Sequence, residues 1–138
     1  MKIYIMLSIL LLMICYSCEK FDSKLTIVNN TNFVVSFDQH FYKNDTFFEN
    51  FEVYLFEKIN PKDTRRITIL GENSWVNKLR NSPEKTIYFN FYSTDSIIKN
   101  KIKYKNMYLY YLDKKYFKQI RLNEKQLDSC NWIVTINN

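Results

Sequence analysis

Beyond the first eighteen positions, apolar and polar residues alternate along most of the chain, and period two is the mark of strands with one buried face. Leu25 and Ile27 alternate with Thr26 and Val28, Phe33, Val35 and Phe37 alternate with Val34, Ser36 and Asp38, and Asn29-Asn30-Thr31-Asn32 between them has turn chemistry. This pattern predicts a hairpin. Phe51, Val53 and Leu55 before Asn60-Pro61-Lys62-Asp63, with Ile67 and Ile69 after it, predict a second. Ile87, Phe89 and Phe91 against Tyr88, Asn90 and Tyr92 read as a central strand, residues 107–112 and 116–120 as two more, and Trp132, Val134 and Ile136 as the last.

Three short helices interrupt the strands. Gly71 breaks the chain before Ser74, which is placed to N-cap a helix over 74–80 with Trp75, Val76 and Leu79 on one face. Residues 95–106 fit either a helix, with Ile98 and Ile102 at i,i+4 and Asp95 paired to Lys99, or a strand with Lys99, Lys101, Lys103 and Lys105 on one face. A short helix fraying into a loop is the favoured reading. Asn123 and Gln126 form a capping box, Leu122 and Leu127 a hydrophobic staple, so 123–129 is predicted helical with Asn131 taking a left-handed turn after it. The expected fold is mainly β, an antiparallel two-sheet sandwich of seven or eight short strands with short helices in the connections.

Composition changes the picture in one respect. Lys and Asn each occur sixteen times, Phe and Tyr eleven times each, Gly once and Ala never, which is the bias an AT-rich genome imposes. The formal charge of +6 therefore says little by itself about a polyanionic partner.

The amino-terminal stretch reads as a targeting segment. Lys2 precedes a twelve-residue apolar run, residues 3–14, which has the length of a signal h-region and falls short of the ~20 residues a membrane-spanning helix needs. Cys15-Tyr16-Ser17-Cys18 follows, and a cysteine directly after a small residue at the end of such a run is the acceptor used in lipoprotein processing. The division expected is a signal peptide over 1–17, a lipidated Cys18 with its tether over 18–24, and one β-rich domain over 25–138. Cys15 leaves with the signal and Cys18 carries lipid, so Cys130 has no partner for an internal disulfide and is expected to be a small buried apolar residue.

With its lipobox cysteine and short polar tether, an opening LTIVNN, a Ser-Trp helix after a glycine turn, an IYFNF strand and the closing LNEKQLDSCNWIVTI, the chain resembles a group of small envelope lipoproteins of Bacteroidota. It departs from that pattern in a shortened segment near residues 100–106 and in its last residues. The resemblance implies no biochemical activity. It does imply an outer-membrane lipoprotein, Glu19 and Asp22 as a weak surface-export tag, and Ser96, in Asp95-Ser96-Ile97, as a candidate O-glycosylation acceptor.

Catalytic chemistry has little to draw on in this sequence. His40 is the single histidine and falls in an expected solvated loop, and no zinc-ligand spacing, nucleophile elbow or phosphate-cradling glycine loop accompanies it. No cofactor or metal is expected. Binding is the favoured class: residues 38–50 carry Phe41, Tyr42, Phe47 and Phe48 among polar groups, a mixture that stacks on sugars or docks on a protein, or else folds back over the sandwich. The lysines at 99, 101, 103 and 105 form a second candidate patch for lipopolysaccharide phosphates or acidic glycans. The expected location excludes nucleic acid. The reading is a lipid-anchored, non-catalytic outer-membrane lipoprotein that binds a protein or glycan partner, with an accessory subunit of an envelope complex and a small hydrolase as alternatives.

Overall fold

The computed structural model describes residues 20–41, 58–104, 113 and 116–138. Within them the chain runs β1 (Phe21–Asn29), β2 (Val35–His40), β3 (Lys58–Ile59), β4 (Thr64–Leu70), α1 (Ser74–Asn81), β5 (Thr86–Ser93), α2 (Thr94–Asn100), β6 (Lys118–Asn123), α3 (Glu124–Ser129) and β7 (Ile133–Ile136). A three-stranded sheet, β4-β1-β7, faces a four-stranded sheet, β3-β2-β5-β6. This is the two-sheet, β-rich architecture that the alternation predicts. The expected strands at 51–55 and 107–112 lie outside the described residues.

Strand pairing differs from the local reading at both turns. β1 and β2 belong to different sheets, as do β3 and β4, so Asn29–Asn32 and Asn60–Asp63 turn the chain from one sheet to the other instead of closing hairpins. Turn residues reverse the chain, but they do not choose which strand it pairs with. The choice here is enforced by one buried side chain. Asn29 Nδ2 donates to the carbonyls of Phe33, Ile59 and Asn60 at 2.9, 2.9 and 3.0 Å, and its Oδ1 accepts from the Thr31 amide at 3.0 Å and hydroxyl at 2.7 Å. Its backbone joins the second corner as well, through Asn29 N to Asp63 O and Lys62 N to Asn29 O.

The three-stranded sheet is mixed, with the one parallel pairing among otherwise antiparallel strands of the described fold. β1 pairs antiparallel with β4 and parallel with β7, with Thr26 opposite Ile133 and Asn29 opposite Ile136. Strand β6 lies in the other sheet, so the chain reaches β7 by crossing over through α3, and a crossover leaves the incoming strand free to run parallel. The crossover itself was legible. Asn123 Oδ1 accepts the Gln126 amide and Gln126 Oε1 the Asn123 amide, both at 2.9 Å. At the other end the Trp132 amide bonds Leu127 O at 2.7 Å and the Asn131 amide bonds Asp128 O at 3.0 Å, the pair of bonds that defines a Schellman stop. Asn131 and Trp132 both have positive φ, 52° and 59°. An αL conformation is costly for a bulky residue, and Trp132 is held there by its indole, which donates to Asp128 Oδ1 at 2.7 Å, with Lys24 Nζ 4.1 Å from the ring centroid.

Between the sheets lie Leu25, Ile27, Ile67, Val134 and Ile136 from one side and Val35, Phe37, Ile59, Ile87, Phe89 and Phe91 from the other, with Trp75, Leu79, Leu127 and Trp132 closing the ends. Cys130 is half-buried, not buried as expected, with its Sγ 3.3 Å from Leu127 O.

Helix α1 begins as expected but is capped differently. Asn73 occupies the N-cap position in the left-handed region and makes no side-chain cap bond, while Ser74 is already helical and returns its hydroxyl to Leu70 O at 2.6 Å. The cap comes from β1: Asp22 Oδ2 accepts the Trp75 amide at 3.0 Å, a bond of the kind worth about 1 kcal/mol at a helix start. Strand β1 thus begins inside the span read as a tether, and Asp22, 8% exposed, serves as a structural cap. Gly71, at φ 99°, is required before this helix because a Cβ there would collide with Ser74 Oγ.

Candidate functional site

The four-stranded sheet has one face in the core, and its other face is polar, buried along β5, largely buried along β2 and exposed along β6. On β5, Ile87, Phe89 and Phe91 point inward while Tyr88, Asn90 and Tyr92 line the opposite face, at 4%, 0% and 0% exposure. Register then assembles two rungs across three strands. Gln119, Asn90 and Asp38 are cross-strand neighbours, and so are Arg121, Tyr88 and His40.

The first rung is a continuous hydrogen-bond chain. Gln119 Nε2 donates to Asn90 Oδ1 at 2.6 Å, Asn90 Nδ2 donates to Asp38 Oδ1 at 2.7 Å, and Tyr92 donates its hydroxyl to Asp38 Oδ2 at 2.9 Å. Asn90 Nδ2 also lies 3.0 Å from His40 Nε2. With the amide as donor, Nε2 is the acceptor and the imidazole proton sits on Nδ1. Burial pushes the Asp38 carboxyl up to about 6, because removing an anion from water outweighs the bonds from Tyr92 and Asn90 and the nearby His40, which all act to lower it.

The second rung is built on rings. His40 stacks on Tyr88 with centroids 5.2 Å apart and planes 11° from parallel, and the Arg121 guanidinium lies 5.4 Å from the same ring. Tyr88 donates its hydroxyl to Glu84, whose carboxylate also sits 3.4 Å from Arg121. On the same face Ser36 and Thr94 share a buried hydroxyl bond of 2.8 Å at the start of α2.

His40 is therefore a buried strand residue, 8% exposed, and not the solvated loop histidine that was expected. The alternation Asp38-Gln39-His40 carried the signal: continuing β2 by two residues puts Asp38 and His40 on one face, opposite Tyr88, Asn90 and Tyr92. Sequence reasoning ended the strand too early to see it. The cluster has the groups of an acid–base site but encloses them, which is the arrangement of a satisfied polar core. Among the described residues no three His, Cys, Asp or Glu side chains gather as metal ligands.

The other candidate residues fall in different places. Phe41 is half-buried against the core, with its ring 6.2 Å from Trp75, so it serves packing and not an outward aromatic surface. Tyr42, Phe47, Phe48, Lys105 and Cys18 lie outside the described residues. Ser96 is half-buried within α2, and its carbonyl accepts Asn100 Nδ2 at 2.8 Å. Residues 94–100 take the helical alternative. Thr94 and Ile97 face inward, while Lys99, Lys101 and Lys103 are exposed together with Ile98 at 55% and Ile102 at 98%. The basic patch thus carries two outward aliphatic side chains that the lysine spacing alone did not reveal.

Comparison with family models, with curated proteins and with solved structures finds no match to this chain.

Proposed function

We propose that the chain is a lipid-anchored, non-catalytic lipoprotein of the outer membrane, held by Cys18 and offering a basic, apolar-tipped surface to a protein or glycan partner. The observation that carries the binding reading is the outer side of α2 and the turn after it. Ile98 and Ile102 stand in water among Lys99, Lys101 and Lys103 while the inner side of the helix is buried. Exposed aliphatic groups add nothing to the fold, but ringed by cations they suit an anionic partner with an apolar portion. Phe41 has left the aromatic loop surface for the core, which moves the favoured contact to this helix. Among the described residues β4 and β6 are the outer strands of their sheets, and the charges they carry, Arg65 and Arg66 on β4 and Lys118 and Arg121 on β6, disfavour strand-to-strand assembly and so support a binder over a subunit joined by sheet edges. Enclosure of Asp38 and His40 weighs against the hydrolase alternative.

Two measurements test the two halves. Replacing Cys18 by Ala is expected to move the protein from the membrane pellet to the soluble fraction; if it still sediments with membranes, the anchor reading is wrong. Changing Lys99, Lys101 and Lys103 together to Glu is expected to weaken binding to purified lipopolysaccharide at least about tenfold and to flatten its salt dependence, since each cation removed takes its screened attraction with it. Equal binding by the variant and the parent would remove α2 from the contact surface.

A further inference from the structure

Strand β1 brings the fold very close to Cys18. The Gly71 amide donates to Lys20 O at 2.7 Å, so the backbone is fixed to the three-stranded sheet two residues after that cysteine. Two extended residues span about 7 Å. A lipid on Cys18 therefore leaves no room for a swinging tether, and whatever lies at this end of the sheet must lie at the membrane.

What lies there is apolar. Phe21 and Leu70 are direct cross-strand partners, and each is 60% exposed, whereas the next inward rows of the same strands place Leu25, Ile27 and Ile67 in the core. Behind the Phe21 and Leu70 pair the sheet becomes hydroxylic, with Thr68 Oγ1 bonded to Ser23 Oγ at 3.1 Å. The charges beside the pair cancel, because Lys20 Nζ and Glu72 Oε2 form an ion pair at 2.6 Å. A neutralised pair costs less to bring into an interface than a lone charge.

We infer that the Lys20, Phe21, Leu70 and Glu72 end of the three-stranded sheet is a membrane-docking surface, with Phe21 and Leu70 seated at the boundary of phospholipid head groups and acyl chains. The inference rests on the lipid-anchor reading of Cys18. It adds that the sandwich stands on the bilayer in one orientation. The Asn29 corner, at the far end of β1, then points away from the membrane, and α2 begins at that distal end because the Thr94 amide bonds Val34 O at 3.0 Å beside the corner. Docking and partner binding are thereby assigned to opposite ends of one small domain.

The test uses the full chain purified from membranes and reconstituted in vesicles of phosphatidylethanolamine and phosphatidylglycerol. A nitroxide is attached at Leu70→Cys, or at Thr64→Cys six residues and about 20 Å away on the same strand, each in a Cys130→Ser background. Phe21→Cys serves as a second docking probe should the first variant fail to fold, as read by its thermal transition. Expected is a label at 70 relaxed several-fold more by oxygen than by a water-soluble nickel chelate, and the reverse at 64. If both positions report water while the protein floats with the vesicles, docking is overturned and the anchor stands. Protein that does not float with the vesicles overturns the anchor, and docking with it. Lipid-like accessibility at both positions would mean that the sheet lies flat, which overturns the end-on orientation.

Discussion

Changing Asn29 to alanine is expected to lower the unfolding free energy by about 3 to 5 kcal/mol. Five hydrogen bonds converge on this one buried side chain, and the backbone groups it leaves behind belong to two separate corners. A buried polar group stripped of its partner costs about 1 to 3 kcal/mol, and the small cavity left by the change lets water recover part of that. For a domain whose whole stability is about 5 to 15 kcal/mol the loss is severe. Urea unfolding would read it as a lower midpoint with an unchanged slope. Asn30, next in sequence, is the internal control. Its side chain bonds Asn137 and Lys62 in the open, so Asn30→Ala should cost less than about 1 kcal/mol. Asn29→Asp keeps the shape but faces three carbonyls with a carboxylate, and should be at least as damaging near neutral pH. Were the alanine variants at 29 and 30 to unfold together, the corner would not be the tie described above.

The second large effect is a dependence on pH. The Asp38 carboxyl is raised to about 6 in the fold by burial, against an ordinary value of 3.8. Folding therefore favours the protonated form. Its stabilising contribution is complete below pH 3.8, declines as the pH rises and is gone above about 6, a total of about 3 kcal/mol. Asp38→Asn removes that titration. The stability of the parent minus that of the variant is accordingly expected to rise by about 2 to 3 kcal/mol on going from pH 7 to pH 4. Taking the difference cancels groups of opposite sign, such as Glu124, whose carboxyl is held below its ordinary value by the paired bonds from Arg80 and whose contribution fades on acidification. Parallel stability curves for the two proteins would mean that Asp38 ionises freely and that the rung is open to water.

What was legible in the sequence was what short-range chemistry determines. The capping box at Asn123 and Gln126, the left-handed Asn131 and the inward alternation of Val134 and Ile136 involve residues a few positions apart and stand as read, while Trp132, read as the first residue of that strand, is buried but belongs to the left-handed turn before it. The misread features depend on partners far along the chain. Ser74 lost the cap to Asp22, which lies 53 positions before the amide it accepts. Asn29 looked like turn chemistry because Asn favours turns, while its decisive acceptors, Ile59 and Asn60, come some thirty residues later. The polar face was concealed by a boundary: with β2 ended early, His40 appeared to be in a loop, and the period-two match of Asp38 and His40 to Tyr88, Asn90 and Tyr92 was not drawn. The exposed Ile98 and Ile102 show the converse case: the helix forms around Ile98 but ends at Asn100, before Ile102, and spacing alone does not say which side of a helix is covered.

The parallel pairing of β1 with β7 also sets an order of events. β1 is the central strand of its three-stranded sheet, and one of its two neighbours, β7, lies about a hundred residues later in the chain, so β1 must wait for it before its backbone is fully paired. Contacts of that sequence separation form slowly because nearly the whole chain has to be closed into a loop first. An incomplete chain would carry β1 with an open, pairing-competent edge. Closure of the three-stranded sheet therefore waits on β7, and its four residues act as the latch that covers the last open edge of β1.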